Sequence, residues 1–184
     1  AARLFKPLGM TRTFFRDDHA EVIKGQAYGY VPARDTFRLS VTNFDTAGAT
    51  SLHTTVEDLA LWDRNFSDGG VGGPDFIATL LKKGMLANGD ELPYASGLVH
   101  GTYRGLPTVG HGGSDAGYRA DYLRFPGERA SIAALCNLST ANPSALTRSV
   151  ADVWLADKLG PVPAVPADDR PAVTLIEGSS SSFP

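Results

Sequence analysis

Apolar residues recur at helical spacing in three stretches of this chain, and between the second and third stretch they alternate with polar ones. Val56, Leu59, Trp62 and Phe66 line one face of a predicted helix that opens at the capping-box run Thr54-Thr-Val-Glu57 and stops at Gly69-Gly70. A second helix starts at Pro74, buries Phe76, Ile77, Leu80 and Leu81, and ends at Lys82-Lys83-Gly84, where cations suit the negative end of the helix dipole. From residue 94 the period shortens to two. Residues 94–103, 106–110, 118–125 and 131–138 read as an antiparallel meander, with turns at Arg104-Gly105, at His111-Gly-Gly and at Pro126-Gly127. A last helix over 143–159 carries Leu146, Val150, Val153, Trp154 and Leu159 and is expected to lay that face on the sheet. Residues 11–50 are irregular, with short strands such as 27–31 and 37–41 between glycine and proline breaks.

At 184 residues and 42% hydrophobic, the chain can bury one ordinary core without disulfide or metal staples. A net charge of -3 with mixed signs provides no basic stripe for nucleic acid, so no nucleic-acid partner is expected. The single cysteine, Cys136, sits in an apolar run and reads as a small core residue. No run approaches the 18 or so apolar residues of a membrane span, and no leader-like segment opens the chain. Leu4, Phe5 and Leu8 look like the end of a helix, as a cut within a domain would leave them. Residues 1–160 are expected to form the folded part. Residues 161–184, with Pro161, Pro163, Pro166, Pro171 and the run Gly178-Ser-Ser-Ser-Ser182, read as a linker or disordered tail.

Candidate chemistry concentrates in Val109-Gly-His-Gly-Gly-Ser-Asp-Ala-Gly-Tyr118. A titratable side chain followed by glycines at a strand end places an imidazole beside bare backbone N–H groups, the elements of an oxyanion site. Asp115 and Asp121 are near enough in sequence to orient His111, although turn chemistry accounts for Asp115 equally well. Arg119 has an even chance of facing a substrate carboxylate or solvent. His19, His53 and His100 read as surface or partly buried polar residues, since no His or Cys lies two to four positions away to make a local metal site. Asp17-Asp18 and Asp168-Asp169 read as solvated loop charges, and Trp62 and Trp154 as core residues.

With its elements in this order, the chain resembles the C-terminal half of the serine β-lactamase and penicillin-binding-protein superfamily, closest to the class C β-lactamase-like peptidases and esterases. The matching stretches are Leu4-Phe-Lys-Pro-Leu-Gly-Met-Thr11, Ala47-Gly-Ala-Thr-Ser-Leu-His-Thr-Thr-Val-Glu-Asp-Leu-Ala-Leu-Trp62, and 94–113 leading to His111-Gly-Gly. The resemblance implies an α+β, β-lactamase/transpeptidase-like fold in part: antiparallel sheet, a helical-lobe segment and the C-terminal helix, without the N-terminal strands and nucleophile helix. It also implies that His111 takes the place of the third-motif basic residue, that Gly112 and Gly113 follow it, and that the N–H of Ser114 is an oxyanion donor. Gly112 carries no hydroxyl where penicillin-recognising members hold the substrate carboxylate, which favours an ester or a different amide.

The family's other two motifs, Ser-x-x-Lys and Tyr-x-Asn, occur nowhere in the 184 residues. In the family both lie upstream of the Pro-Leu-Gly-Met segment, so the expected partner is the upstream half of the same domain and the chain alone is expected to be inactive. The substrate implied for the complete protein is a small ester, amide or peptide, and no cofactor is implied. A non-catalytic binding module is the alternative left open by the sequence.

Overall fold

The computed structural model describes residues 1–43, 45–48 and 50–162, so the expected linker beyond 162, with Asp168-Asp169, lies outside the described residues. A four-residue helix α1 (Phe5–Leu8) precedes two small antiparallel pairs, β1 (Phe14–Phe15) with β4 (Leu52–His53) and β2 (Tyr30–Ala33) with β3 (Thr36–Leu39). Helices α2 (Val56–Asp68) and α3 (Gly73–Leu81) follow, then β5 (Val99–Tyr103), β6 (Leu106–Asp115), β7 (Tyr118–Phe125), β8 (Ala130–Cys136) and α4 (Pro143–Trp154). Strands β5 to β8 form one antiparallel sheet in chain order, the α+β arrangement expected.

Direct register partners share a face of a sheet, and successive residues alternate. Leu123 and Phe125 therefore face one way and pack with Ala130, Ala151 and Leu155 under α4. Val109 and Arg124 face the other way, where Val109 joins Ala95, Leu98, Phe66 and Leu81 beneath α2 and α3. Helix α2 is tied to the sheet by a buried polar cluster. Tyr122 Oη donates to Asp63 Oδ1 at 2.6 Å, Arg124 Nε pairs with the same oxygen, and the Arg124 guanidinium lies 4.2 Å from the centre of the Phe66 ring. Burial first, then the Asp63 hydrogen bond, raises the Tyr122 phenol and keeps it a neutral donor.

Several expectations need correction. The N-cap of α2 is Thr55, whose hydroxyl accepts from Asp58 N at 3.3 Å, because the Thr54 hydroxyl is engaged 2.8 Å from Thr13 Oγ1. Residues 94–98 turn back at Gly97 (φ 75°) rather than extending β5. The α4 face against the sheet consists of Pro143, Thr147, Ala151 and Leu155, so Leu146, Val150, Val153 and Trp154 point outward, Trp154 with 57% of its surface exposed. Thr147 can be fully buried because its hydroxyl donates to Asp121 Oδ2. The helix itself ends at Trp154, short of residue 159. Trp62 is half-buried against Phe66, edge to face at 5.2 Å, and Cys136 is half-buried rather than in the core.

The segment His111-Gly-Gly is also not a turn: it continues β6, paired His111 to Tyr122 and Gly113 to Ala120, and the chain reverses at Ala116-Gly117 with Ala116 at φ 45°. Gly110 is required by close approach, since a Cβ there would lie 2.1 Å from Tyr122 O. Gly110→Ala should therefore cost roughly 3 kcal/mol, as overpacking against backbone does. Gly112→Ala, whose Cβ would meet nothing nearer than 3.6 Å, should stay within about 0.5 kcal/mol of wild type. Urea denaturation of the two variants checks the contrast.

Candidate active site

Two tight hairpins set the direction of the backbone N–H groups along β6. In a two-residue hairpin the pair closing the turn exchanges both hydrogen bonds, and the pattern alternates from there. Closure at Asp115 and Tyr118 points the N–H groups of 115, 113 and 111 toward β7, and those of 114, 112 and 110 the other way. Closure at Tyr103 and Leu106 on the opposite side agrees, aiming the N–H groups of 106, 108 and 110 at β5. Strand β5 ends opposite Gly110, so among the described residues no neighbouring strand faces the N–H groups of Gly112 and Ser114. His111, Gly112, Gly113 and Ser114 are all exposed and line an open cleft of about 930 Å³. The predicted constellation thus lies together on one free strand edge, with two outward N–H donors rather than one.

His111 is held at both ring nitrogens. A carbonyl can only accept, so at 2.5 Å from Gly112 O the Nδ1 atom carries the proton, and Tyr94 Oη lies 3.2 Å from Nε2 with the two rings edge to face at 5.8 Å. Neither aspartate orients it. Asp121, paired with Gly112, lies on the α4 face and accepts from Ser144 and Thr147, while Asp115 accepts from Thr42 Oγ1 at 2.8 Å. Arg119 donates to Ala116 O and Tyr118 O and so secures the turn. The sequence carries no signal of this role for Tyr94, which lies seventeen positions from His111 and reads there only as the first residue of a strand.

The cleft wall is net positive, with Arg12, Arg16, Lys24 and Arg119 against Asp115 and Asp121. His53 lies in the same cleft stacked on Phe14 at 5.4 Å, and burial, then the nearby Arg16 charge, lowers its pKa below the ordinary histidine value. His100 is half-buried with Nε2 donating to Leu81 O at 2.9 Å. His19 is exposed, and its Nδ1 lies 2.8 Å from Asp45 Oδ1; Asp18 completes a group whose ligand atoms lie within 4.8 Å of one another. Local spacing in the sequence gives no sign of that group, because Asp45 is 26 residues from His19. Asp18 also accepts from Ala20 N, as a loop-capping residue does.

The chain is similar to several known proteins. A family model described as Beta-lactamase matches residues 1–153. A D-aminopeptidase from Gluconobacter oxydans (strain 621H) is 27% identical over 140 residues, which are 75% of this chain and 26% of that protein. The octameric penicillin-binding protein homologue from Pyrococcus abyssi superposes with a TM-score of 0.73 at 22% identity, over 84% of this chain and 36% of that one. The D-amino acid amidase from Ochrobactrum anthropi SV3 superposes with a TM-score of 0.58 at 19% identity, over 85% and 51%. The chain thus spans about a quarter of the curated relative it matches and a third to a half of these two structures.

Proposed function

The chain belongs to the beta-lactamase family, and from that premise we propose that it supplies the oxyanion wall of a serine-hydrolase active site. The observation that carries this reading is the free edge of β6, where the N–H groups of Gly112 and Ser114 face the cleft beside His111. In the proposed reaction a serine Oγ attacks the carbonyl carbon of an ester or amide while a lysine takes its proton. The carbonyl oxygen becomes negative against the Ser114 N–H, and as the acyl–serine ester forms the leaving alcohol or amine departs with a proton. Water then releases the acid and restores the serine. One such backbone donor contributes roughly 3 kcal/mol to the transition state.

The serine, lysine and relay tyrosine are assigned to the upstream half of the same domain, since neither Ser-x-x-Lys nor Tyr-x-Asn occurs in these residues. The absence of a hydroxyl at Gly112 favours an ester or a non-β-lactam amide, and the D-aminopeptidase and D-amino acid amidase relatives make an amide of a D-residue the first to try. The cationic cleft wall disfavours a bare ammonium group near it. The chain alone should not hydrolyse p-nitrophenyl esters or nitrocefin above background, nor gain mass from a fluorophosphonate probe. Adding the upstream coding region should confer both properties. A covalent adduct on any serine of the chain alone would overturn the assignment.

A further inference from the structure

We infer that Tyr94 is a positioning residue for His111, fixing both its ring orientation and which ring nitrogen carries the proton; its bearing on catalysis rests on the hydrolase reading above. The two contacts at the imidazole leave one assignment for the neutral ring. Gly112 O accepts, so Nδ1 is the protonated nitrogen, and Nε2 must accept from the Tyr94 hydroxyl. Free histidine prefers the opposite tautomer, with the proton on Nε2, so the site imposes its choice against the intrinsic one.

Tyr94 is placed to do this although its side chain is 45% exposed. Its carbonyl accepts from Gly84 N at 2.8 Å, the next residue is the buried Ala95, whose N–H donates to Leu98 O at 2.7 Å, and Pro93 O accepts from His100 N at 2.7 Å. Tyr94 also bridges to Val99, the first residue of β5. The phenol thus projects from a backbone fixed on both sides, across the point where β5 ends and the edge of β6 becomes free.

This arrangement changes what His111 can do. In its neutral form the single N–H is used on Gly112 O and the lone pair on Tyr94, so the imidazole offers no donor to a bound acyl group. The donors left for an oxyanion are the N–H groups of Gly112 and Ser114. His111 then acts through its fixed place beside those two donors, not as a donor itself.

Long-range 1H–15N correlation spectra of the 15N-labelled chain, recorded where His111 is neutral, read the tautomer without any need for activity. The wild type should show Nδ1–H at His111. Tyr94→Phe keeps the ring contact and removes the hydroxyl, and the ratio of Nδ1–H to Nε2–H should fall about fivefold, the equivalent of one ordinary hydrogen bond. His53 and His100 should keep their signals, which reports an intact fold. A wild-type His111 that is mainly Nε2–H, or the same ratio in both proteins, would overturn the inference while leaving the hydrolase proposal untouched. Because the wild-type spectrum alone can reject it, a variant that fails to fold does not shield it.

Discussion

Asp63→Ala should remove roughly 3–5 kcal/mol of stability, the cost of leaving a buried cation without its partner. The Arg124 side chain retains only 6% of its exposure, and besides the pair with Asp63 its guanidinium meets, among the described residues, the Phe66 ring face. The same substitution leaves the Tyr122 hydroxyl, which burial keeps neutral, without its acceptor. Domains of this size have only about 5–15 kcal/mol in total, so much of the folded population would be lost at 37 °C. The double variant Asp63→Ala/Arg124→Met should recover part of the loss, because it removes the stranded charge as well and fills the space beside Phe66. Urea unfolding of both variants decides the point. A single-variant loss under about 1 kcal/mol would mean that α2 is held to the sheet by the packing of Phe66 against Val109 and its neighbours, and that the ion pair is incidental.

Although the most buried residues of α2 are Asp58 and Asn65, the periodicities of the sequence located α2, α3 and the meander because apolar residues recur there at regular spacing and turn inward, Phe66 and Leu81 among them. They misjudged α4 for a physical reason. Its inner face is built from Thr147 and Ala151, both fully buried, where close helix-to-sheet packing needs small side chains and Asp121 satisfies the threonine. The large residues that drew attention, from Leu146 to Trp154, lie on the other side. The glycine-rich run misled in a related way. Four glycines read as a turn, yet Gly110, Gly112 and Gly113 all have ordinary extended backbone, and the turn falls at Ala116-Gly117. Gly110 and Gly117 serve close approach, to Tyr122 and to the Gly29–Tyr30 backbone, while Gly112 and Gly113 leave the strand edge bare. His111 to Ser114 were legible as a unit because they are contiguous. Tyr94 was not, and neither were Asp63 and Arg124, sixty-one positions apart. Pairings made only by tertiary folding leave no spacing to find.

Self-association of the chain at high concentration should be strong, and it should involve the β8 side of the molecule. Among the described residues no strand lies beyond β8, and only its far end is covered, where Tyr30 bridges to Leu138. Along Ala130–Cys136 the outer edge is therefore open, without the charges, proline or bulge that protect natural edges. Beside it α4 exposes Leu146, Val150, Val153 and Trp154, spaced as one stripe. Under the proposal above, this edge and helix face are where an upstream part of the domain would pack, and a second copy can stand in for it. Sedimentation velocity from about 5 to 500 μM should show concentration-dependent dimers or larger species. Leu135→Lys, on the exposed part of β8, and Trp154→Glu, on the helix face, should each weaken them, and together should leave a monomer. If Trp154→Glu alone abolishes association, the helix face drives it and the open edge of β8 contributes little. A wild-type chain that stays a monodisperse, cooperatively melting monomer across the whole range would show that neither surface needs a partner, and would remove the support that the open edge lends to an upstream half of the domain.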